Sequence, residues 1–390
     1  MPLNDHLLVL SPICPGYISG DKIAVKSSLD QYVKYYKEIT YIVLLKQHID
    51  IELCQKYDNV KFIPLNINKG SAICRYIKSK FNMYPAISQQ YLKSHIIKFV
   101  QAEIQWQFNN YNYYDIIVEM VAPAALLHKI GHTIHGLKFI VRSHDVLSSA
   151  FEELSRTGNI IKNYAWRSEI KRIYMLEDWL MRNATKFYAI SNSDYYDYKY
   201  KYNKYPDGIL GVDIDLHRYK DVNNGSMYKI IHIGGADARK IHGIHFFIRN
   251  IWPIVREVYK EAELHLGGKG SETWNYPELG IYGHGFIENE VSFLSQGKIF
   301  INPQLAGSGI KLKSINAMAA QRALVSTFNG VRGIPGKNGQ DFLCSDNPQG
   351  LANHILRLIQ YPDFAYKIGR SGSLVVQQYF TNTTNDGNLN

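Results

Sequence analysis

The stretch 302-NPQLAGSGIKLKSINAMAAQRALVST-327 decides how this chain is read. It is a complete strand–turn–helix–strand passage. The apolar run from Lys298 ends at Asn302-Pro303, and the turn 307-GSG-309 opens a helix predicted over 311–321. The alanine-rich run 317–320 lets that helix lie close on a sheet before the next apolar run, Ala323–Ser326. Near-continuous apolar strands separated by helices predict a parallel sheet covered on both faces. Glycines at a helix N-terminus offer backbone N–H groups to a sugar or phosphate, and Lys311 and Lys313 can neutralise phosphate charge. No Gly-Lys-Ser/Thr follows at the spacing of a nucleoside-triphosphate loop.

The same alternation runs outward in both directions. Strands are predicted at Lys229–Ile233 and Glu263–Leu266, with helices over 244–259 (kinked at Pro253), 350–360 and 363–379. Further upstream, apolar runs at Leu7–Leu10, Tyr41–Leu45, Val60–Pro64, Asp115–Met120, Lys138–Val141 and Phe187–Ile190 alternate with helices over 22–39 and 89–108. A chain of 390 residues is too long for one ordinary domain. The expected architecture is α/β: two Rossmann-like lobes facing a cleft. They are residues 1–206 and 207–375, followed by a partly disordered tail, 376–390. The boundary is drawn at 206-PDGILGVDID-215, where Pro and Gly cluster.

Composition narrows the function classes. The net charge of +10 permits nucleic acid, an anionic membrane face or phosphorylated small molecules as partners. No helix-turn-helix spacing, zinc knuckle or RNA-recognition signature is present, which disfavours nucleic acid. The apolar stretch Ile116–Leu127 is interrupted by Glu119 and Pro123 and does not span a bilayer. Cys14, Cys54, Cys74 and Cys344 lack metal or redox spacing. With no secretory signal pattern, the expected location is cytoplasmic, with peripheral contact at the inner membrane face. The Tyr-rich segment 194–205 reads as a polar surface helix.

In open parallel sheets ligands bind beyond the carboxyl ends of the strands, so the loops after each strand are candidates. The loop 11-SPICPGYISGDK-22 carries Gly16 and Gly20 ahead of a helix; it is not a dinucleotide fingerprint. The loop 142-RSHDVLSS-149 packs Arg142, His144 and Asp145 together, and such a His–Asp pair can position a hydroxyl or stabilise developing charge. In 233-IGGADARKIHG-243, Gly234 and Gly235 allow close approach, and Arg239, Lys240 and His242 bring positive charge near a helix start, the combination a diphosphate requires.

The stretch 302–333, with its GSGIKLK turn, resembles the donor-binding region of retaining glycosyltransferase family four. So, in order, do 142-RSHDV-146, 188-YAISNSD-194, 206-PDGILGVDIDLHRY-219, 232-HIGGADARKIHGIHFFIRNIWPIV-255 and 283-GHGFIENEVSFL-294. The resemblance implies the GT-B fold. It implies transfer of a sugar, with retention, from a nucleotide-diphosphate donor of UDP or GDP type to a saccharide or lipid-linked acceptor, in surface polysaccharide or glycolipid synthesis. It implies neither cofactor nor metal; Asp213 and Asp215 are then part of a linker. Gly307, Ser308, Gly309, Ile310, Lys311 and Lys313 would meet the sugar and diphosphate, helped by Gly235, Arg239 and Lys240. Phe286, Ile287 and Glu288 would lie near the base and ribose. His144 and Asp145 would serve the transferring sugar, and Gly16 and Gly20 would line the acceptor side. Two positions depart from the family pattern: Ser308 and Asn316 stand where glutamates are usual, leaving Asn316 an uncharged contact for ribose. The competing reading is a non-catalytic module of the same fold that binds nucleotide or supports a partner.

Overall fold

The computed structural model describes residues 4–16, 20–46, 51–134, 136–157, 160–234 and 241–381. They divide between Val212 and Asp213 into two compact units, six residues beyond the expected boundary.

The first unit is a seven-stranded sheet in the order β3-β2-β1-β4-β5-β6-β7. The strands are β1 (Asn4–Ser11), β2 (Tyr36–Leu45), β3 (Val60–Ile67), β4 (Tyr114–Glu119), β5 (Ile140–Arg142), β6 (Lys186–Ala189) and β7 (Gly208–Ile209). Every pairing is parallel. Leu7 to Leu10 are fully buried because helices cover both faces. One core packs Leu8, Leu10, Ile116 and Val118 against the helix Val121–Gly131; Leu7, Val9 and Ile117 form the other.

The helix predicted over 22–39 is Gly20–Tyr35, and β2 begins at Tyr36. Pairing overrides local propensity there. Tyr36 lies opposite Asn4 in register, and its hydroxyl donates to Asp115 at 2.6 Å. The Tyr-rich helix, Asn192–Tyr202, is less superficial than expected. Tyr196 and Tyr200 are exposed, whereas Tyr198 and Tyr202 are buried and donate to Glu177.

The second unit is a six-stranded parallel sheet in the order β10-β9-β8-β11-β12-β13. Its strands are β8 (Ser226–Ile233), β9 (Glu263–Gly267), β10 (Ile281–Gly283), β11 (Gly297–Asn302), β12 (Ala323–Ser326) and β13 (Leu343–Cys344). The expected kink at Pro253 is a break between two helices, Ile241–Asn250 and Trp252–Val258, with the proline in the first turn of the second. The helix Pro362–Tyr379 runs past residue 375, and the tail from 382 lies outside the described residues. Among the described residues, no helix is long and apolar enough to cross a membrane.

Candidate active site

At the carboxyl edge of the first sheet, β4 delivers Glu119 and β5 delivers Arg142, with His144 two residues on. All three are buried. Glu119 Oε2 accepts from Arg142 Nη1 at 3.0 Å and lies 2.6 Å from His144 Nε2. Its other oxygen accepts from Ser28 Oγ at 2.8 Å and from the Tyr32 hydroxyl at 2.9 Å. Both come from the helix Gly20–Tyr35, which Gly20 begins. Burial alone would raise the carboxyl. The Arg142 charge and the hydrogen bond with His144 outweigh it and hold Glu119 at about 2. The other Arg142 nitrogens are also engaged: Nε donates to Leu210 O at 3.0 Å and Nη2 to Gly211 O at 2.6 Å.

An ionised Glu119 can only accept, so His144 Nε2 carries the hydrogen toward it. The remaining ring nitrogen, Nδ1, is buried and has no partner among the described residues. This leaves Nδ1 available at the strand ends for a hydrogen bond with a ligand hydroxyl. Backbone geometry marks the same place. Met120, next to Glu119, has φ 75° without being glycine, the kind of strained conformation that persists where its surroundings hold it.

Asp145 contributes its backbone: its carbonyl accepts from Ser143 Oγ at 2.6 Å and from the Tyr198 hydroxyl at 3.1 Å. The helix that follows, Leu147–Thr157, is anchored by Glu177, whose carboxylate accepts from Leu147 N at 2.8 Å and Ser148 N at 3.3 Å. Burial raises Glu177 to about 7 despite these donors, helped by the Asp145 charge, and among the described residues no cation is paired with it as Arg142 is with Glu119.

The second sheet's carboxyl edge is built mainly of backbone. Gly234 follows β8, and a Cβ there would lie 2.3 Å from His232 Nε2 and 2.9 Å from Lys313 Nζ. A side chain at 234 would push the histidine or the lysine away from this strand end. His232 is oriented from behind by a 2.8 Å bond between Nδ1 and Ile301 O. Gly307 and Gly309 have φ 127° and 74°, which lets the turn wrap ahead of the helix Leu312–Ala319. Lys313, in that helix's first turn, is half-buried.

Lys311 differs from the expectation of a direct donor contact. Its buried Nζ donates to the carbonyls of Gly307, Ser308 and Gly309 at 2.6, 2.9 and 3.2 Å. It holds the turn in shape with its charge directed at its own backbone. Asn316, also buried, donates through Nδ2 to Glu290 Oε1 at 3.1 Å. Glu290 is fixed in turn by Arg218 at 3.2 Å and the Tyr219 hydroxyl at 3.4 Å. A carboxylate thus stands behind position 316 although the residue itself is neutral. Asn316 Oδ1 is left buried and unpartnered, as is Oδ1 of Asn329, whose amide donates to Gly307 O at 3.2 Å.

The profile of the family described as "Glycosyl transferases group 1" matches residues 228–361. Across the whole chain the fold is that of solved GT-B enzymes. Anabaena HepE, in a crystal structure with UDP and glucose, superposes with TM-score 0.67 at 14% identity, covering 97% of this chain and 96% of that one. Sucrose-phosphate synthase from Thermosynechococcus elongatus gives 0.66 at 14%, covering 97% and 95%. In sequence, an "uncharacterized 44.6 kDa protein in cps region" of Klebsiella pneumoniae is 21% identical over 350 residues, 86% of this chain and 80% of that protein. Residues 228–361 thus match the group 1 glycosyltransferase family, and the chain as a whole has the GT-B fold.

The matched segment contains the GSGIKLK turn, Lys313, Asn316 and the 283–294 loop. Ile287 packs on Gly267 at the end of β9, where a Cβ would meet it at 2.6 Å. Phe286 beside it is 55% exposed, and Glu288 is exposed. Ser308 and Ile310 are half-buried in the turn. Gly235, Arg239 and Lys240 lie outside the described residues. In the linker, Asp215 Oδ1 accepts from His217 N at 3.0 Å and caps the short turn that follows. Among the described residues, no set of three His, Cys, Asp or Glu is placed to hold a metal ion.

Two residues of the candidate site escape a motif-based reading. Glu119 organises the first edge, and its signal in the sequence is a lone acid inside an apolar strand. Glu290 supports Asn316 from another helix, a pairing that only the fold brings about.

Proposed function

We propose that this enzyme transfers a hexose from a nucleotide-diphosphate sugar, UDP-linked as first choice, to a saccharide or lipid-linked acceptor with retention at the anomeric carbon and without a metal. The second unit, residues 207–375 in the expected division, takes the donor. The first, residues 1–206, takes the acceptor on the side of Gly16 and Gly20. The observation that carries this reading is the meeting of the Lys313 and His232 side chains at Gly234, beyond the end of β8. It is an assembly for stabilising diphosphate as it leaves. Lys311 keeps the turn's N–H groups in position, and Arg239 and Lys240 add charge at the following loop.

The buried orphan acceptors support a ligand rich in hydroxyls. A buried acceptor without a donor costs about 1–3 kcal/mol, and a sugar or ribose hydroxyl would satisfy His144 Nδ1, Asn316 Oδ1 or Asn329 Oδ1. In this reading His144 accepts from a hydroxyl of the transferring sugar, with Glu119 and Arg142 fixing its ring. Asn316 meets ribose with Glu290 behind it, and Phe286, Ile287 and Glu288 border the base. HepE was crystallised with UDP and glucose, which favours a uridine donor. The Klebsiella relative's cps region fits surface polysaccharide synthesis, and the net charge of +10 fits work at the cytoplasmic face of an anionic membrane.

The test is to incubate the enzyme with UDP- and GDP-hexoses and a panel of saccharide and polyprenyl-linked acceptors, with and without chelator. The anomeric configuration of the product is then read by NMR. The expected result is an α-linked product from an α-linked donor, at a rate unaffected by chelator. An inverted product, or activity abolished by chelator and restored by a divalent cation, overturns the mechanism.

A further inference from the structure

The helix Ala72–Ser79 in the first unit is packed polar side inward. The Tyr76 hydroxyl shares a 3.0 Å hydrogen bond with Ser168 Oγ, and Ser79 Oγ donates to Glu169 at 2.8 Å. The apolar side faces solvent. Ile73 is 71% exposed, Ile77 51%, Phe81 85% and Met83 45%. A spacing of four places Ile73, Ile77 and Phe81 along one stripe. A soluble surface scatters its exposed apolar side chains singly, whereas a contiguous set marks a binding face.

Along the chain, the charge flanking this stripe has one sign. Residues 59–102 contain seven Lys or Arg and no Asp or Glu. Lys69 and Lys78 are exposed beside the stripe; Lys80 leans back onto Glu169 at 3.4 Å and over the Tyr76 ring. Apolar side chains on one side of a short helix with lysines at its flanks match the interface of an anionic bilayer, which receives the apolar groups and attracts the cations. A second copy of the chain fits poorly, since a two-fold contact would set the same cations against one another.

We infer that the helix Ala72–Ser79 and the segment through Met83 form a docking surface for anionic lipid. The inference deepens the proposed membrane-side function by naming the surface, and it rests on that reading only for its purpose: it would hold the acceptor-side unit against the bilayer that carries a lipid-linked acceptor.

The test is co-sedimentation of the full chain with vesicles of phosphatidylcholine, with or without phosphatidylglycerol. It compares wild type, the triple variant Ile73→Ser, Ile77→Ser, Phe81→Ser, and the double variant Lys69→Glu, Lys78→Glu. UDP binding is measured on each protein by calorimetry. Wild type is expected to bind the anionic vesicles and to be released by salt. The triple variant should bind at least about tenfold more weakly, and each charge reversal should cost about fivefold or more. UDP affinity should be unchanged throughout. Wild type that ignores anionic vesicles, or a triple variant that binds them as well as wild type, overturns the inference. So does a wild-type dimer that the triple variant abolishes, which would make the stripe an interface between copies. Vesicle binding without UDP binding leaves the docking surface standing and removes the donor reading instead.

Discussion

The two sheets end in opposite ways. The first finishes in side-chain charge: Glu119, Arg142 and His144 satisfy one another in a buried cluster that leaves one ring nitrogen unpaired. The second finishes in glycine and backbone, with Lys313 and His232 closing on Gly234 and Lys311 turned onto the carbonyls of its own loop. A prebuilt ionic cluster fixes the direction of a single group to within a hydrogen bond. A glycine-lined helix start offers many weak donors to a diffuse charge. The first suits positioning one sugar hydroxyl, the second suits holding diphosphate.

The largest way to break this contrast is at Glu119. Glu119→Ala leaves Arg142 buried without its counter-ion and should destabilise the protein by about 3–5 kcal/mol, read as a lowered urea midpoint. A loss below about 1 kcal/mol would mean the cluster is not held by charge. His144→Ala tests direction: turnover should fall by about tenfold to a hundredfold, as for removal of one oriented group, while UDP affinity stays nearly unchanged because that residue belongs to the first unit. Equal loss of both ends its assigned role.

The pH dependence of stability sharpens the contrast within the first unit. Glu119 is depressed to about 2. Its contribution is fully present above about pH 4.5 and is lost as pH falls toward 2. Glu177 is raised to about 7, so the folded state holds its proton more tightly than the unfolded chain. Stability from this group declines as pH rises from about 4.5 to 7, by an amount on the order of 3 kcal/mol. Urea unfolding at pH 5 and pH 8 should show that decline in wild type relative to Glu177→Gln. Parallel profiles for the two proteins would contradict it. The smallest effect is expected at Asn316→Ala, where losing one hydrogen bond should weaken UDP binding by about 0.5–1.5 kcal/mol; no change would detach Asn316 from the nucleotide.

The contrast also explains what the sequence made legible. Glycines at a turn and small residues in a helix are local signals, so the 302–327 passage was legible as strand, glycine turn, helix and strand. Apolar runs likewise marked ten of the strands, and only the short edge strands Gly208–Ile209, Ile281–Gly283 and Leu343–Cys344 lacked enough residues to show a pattern. Partnerships across long separations were hidden. Glu119 was visible as the acid that keeps Ile116–Leu127 from being a membrane span, yet nothing nearby tells that Arg142 and His144 fold onto it. Lys311 and Lys313, two positions apart, looked equivalent. The turn that Gly307 and Gly309 permit curls back under the first and leaves the second beside Gly234. The neutral Asn316 suggested a lost carboxylate until the fold set Glu290 against it.

The most direct test of the central claim is calorimetric titration with uridine, guanosine, adenosine and cytidine diphosphates, without metal, on wild type and Lys313→Ala. The account predicts that uridine diphosphate binds wild type best and binds the variant about 1.5–3 kcal/mol more weakly, the usual worth of a hydrogen bond to a charged group. Binding of none of the four, or equal binding to both proteins, would contradict it and favour the non-catalytic reading of the fold.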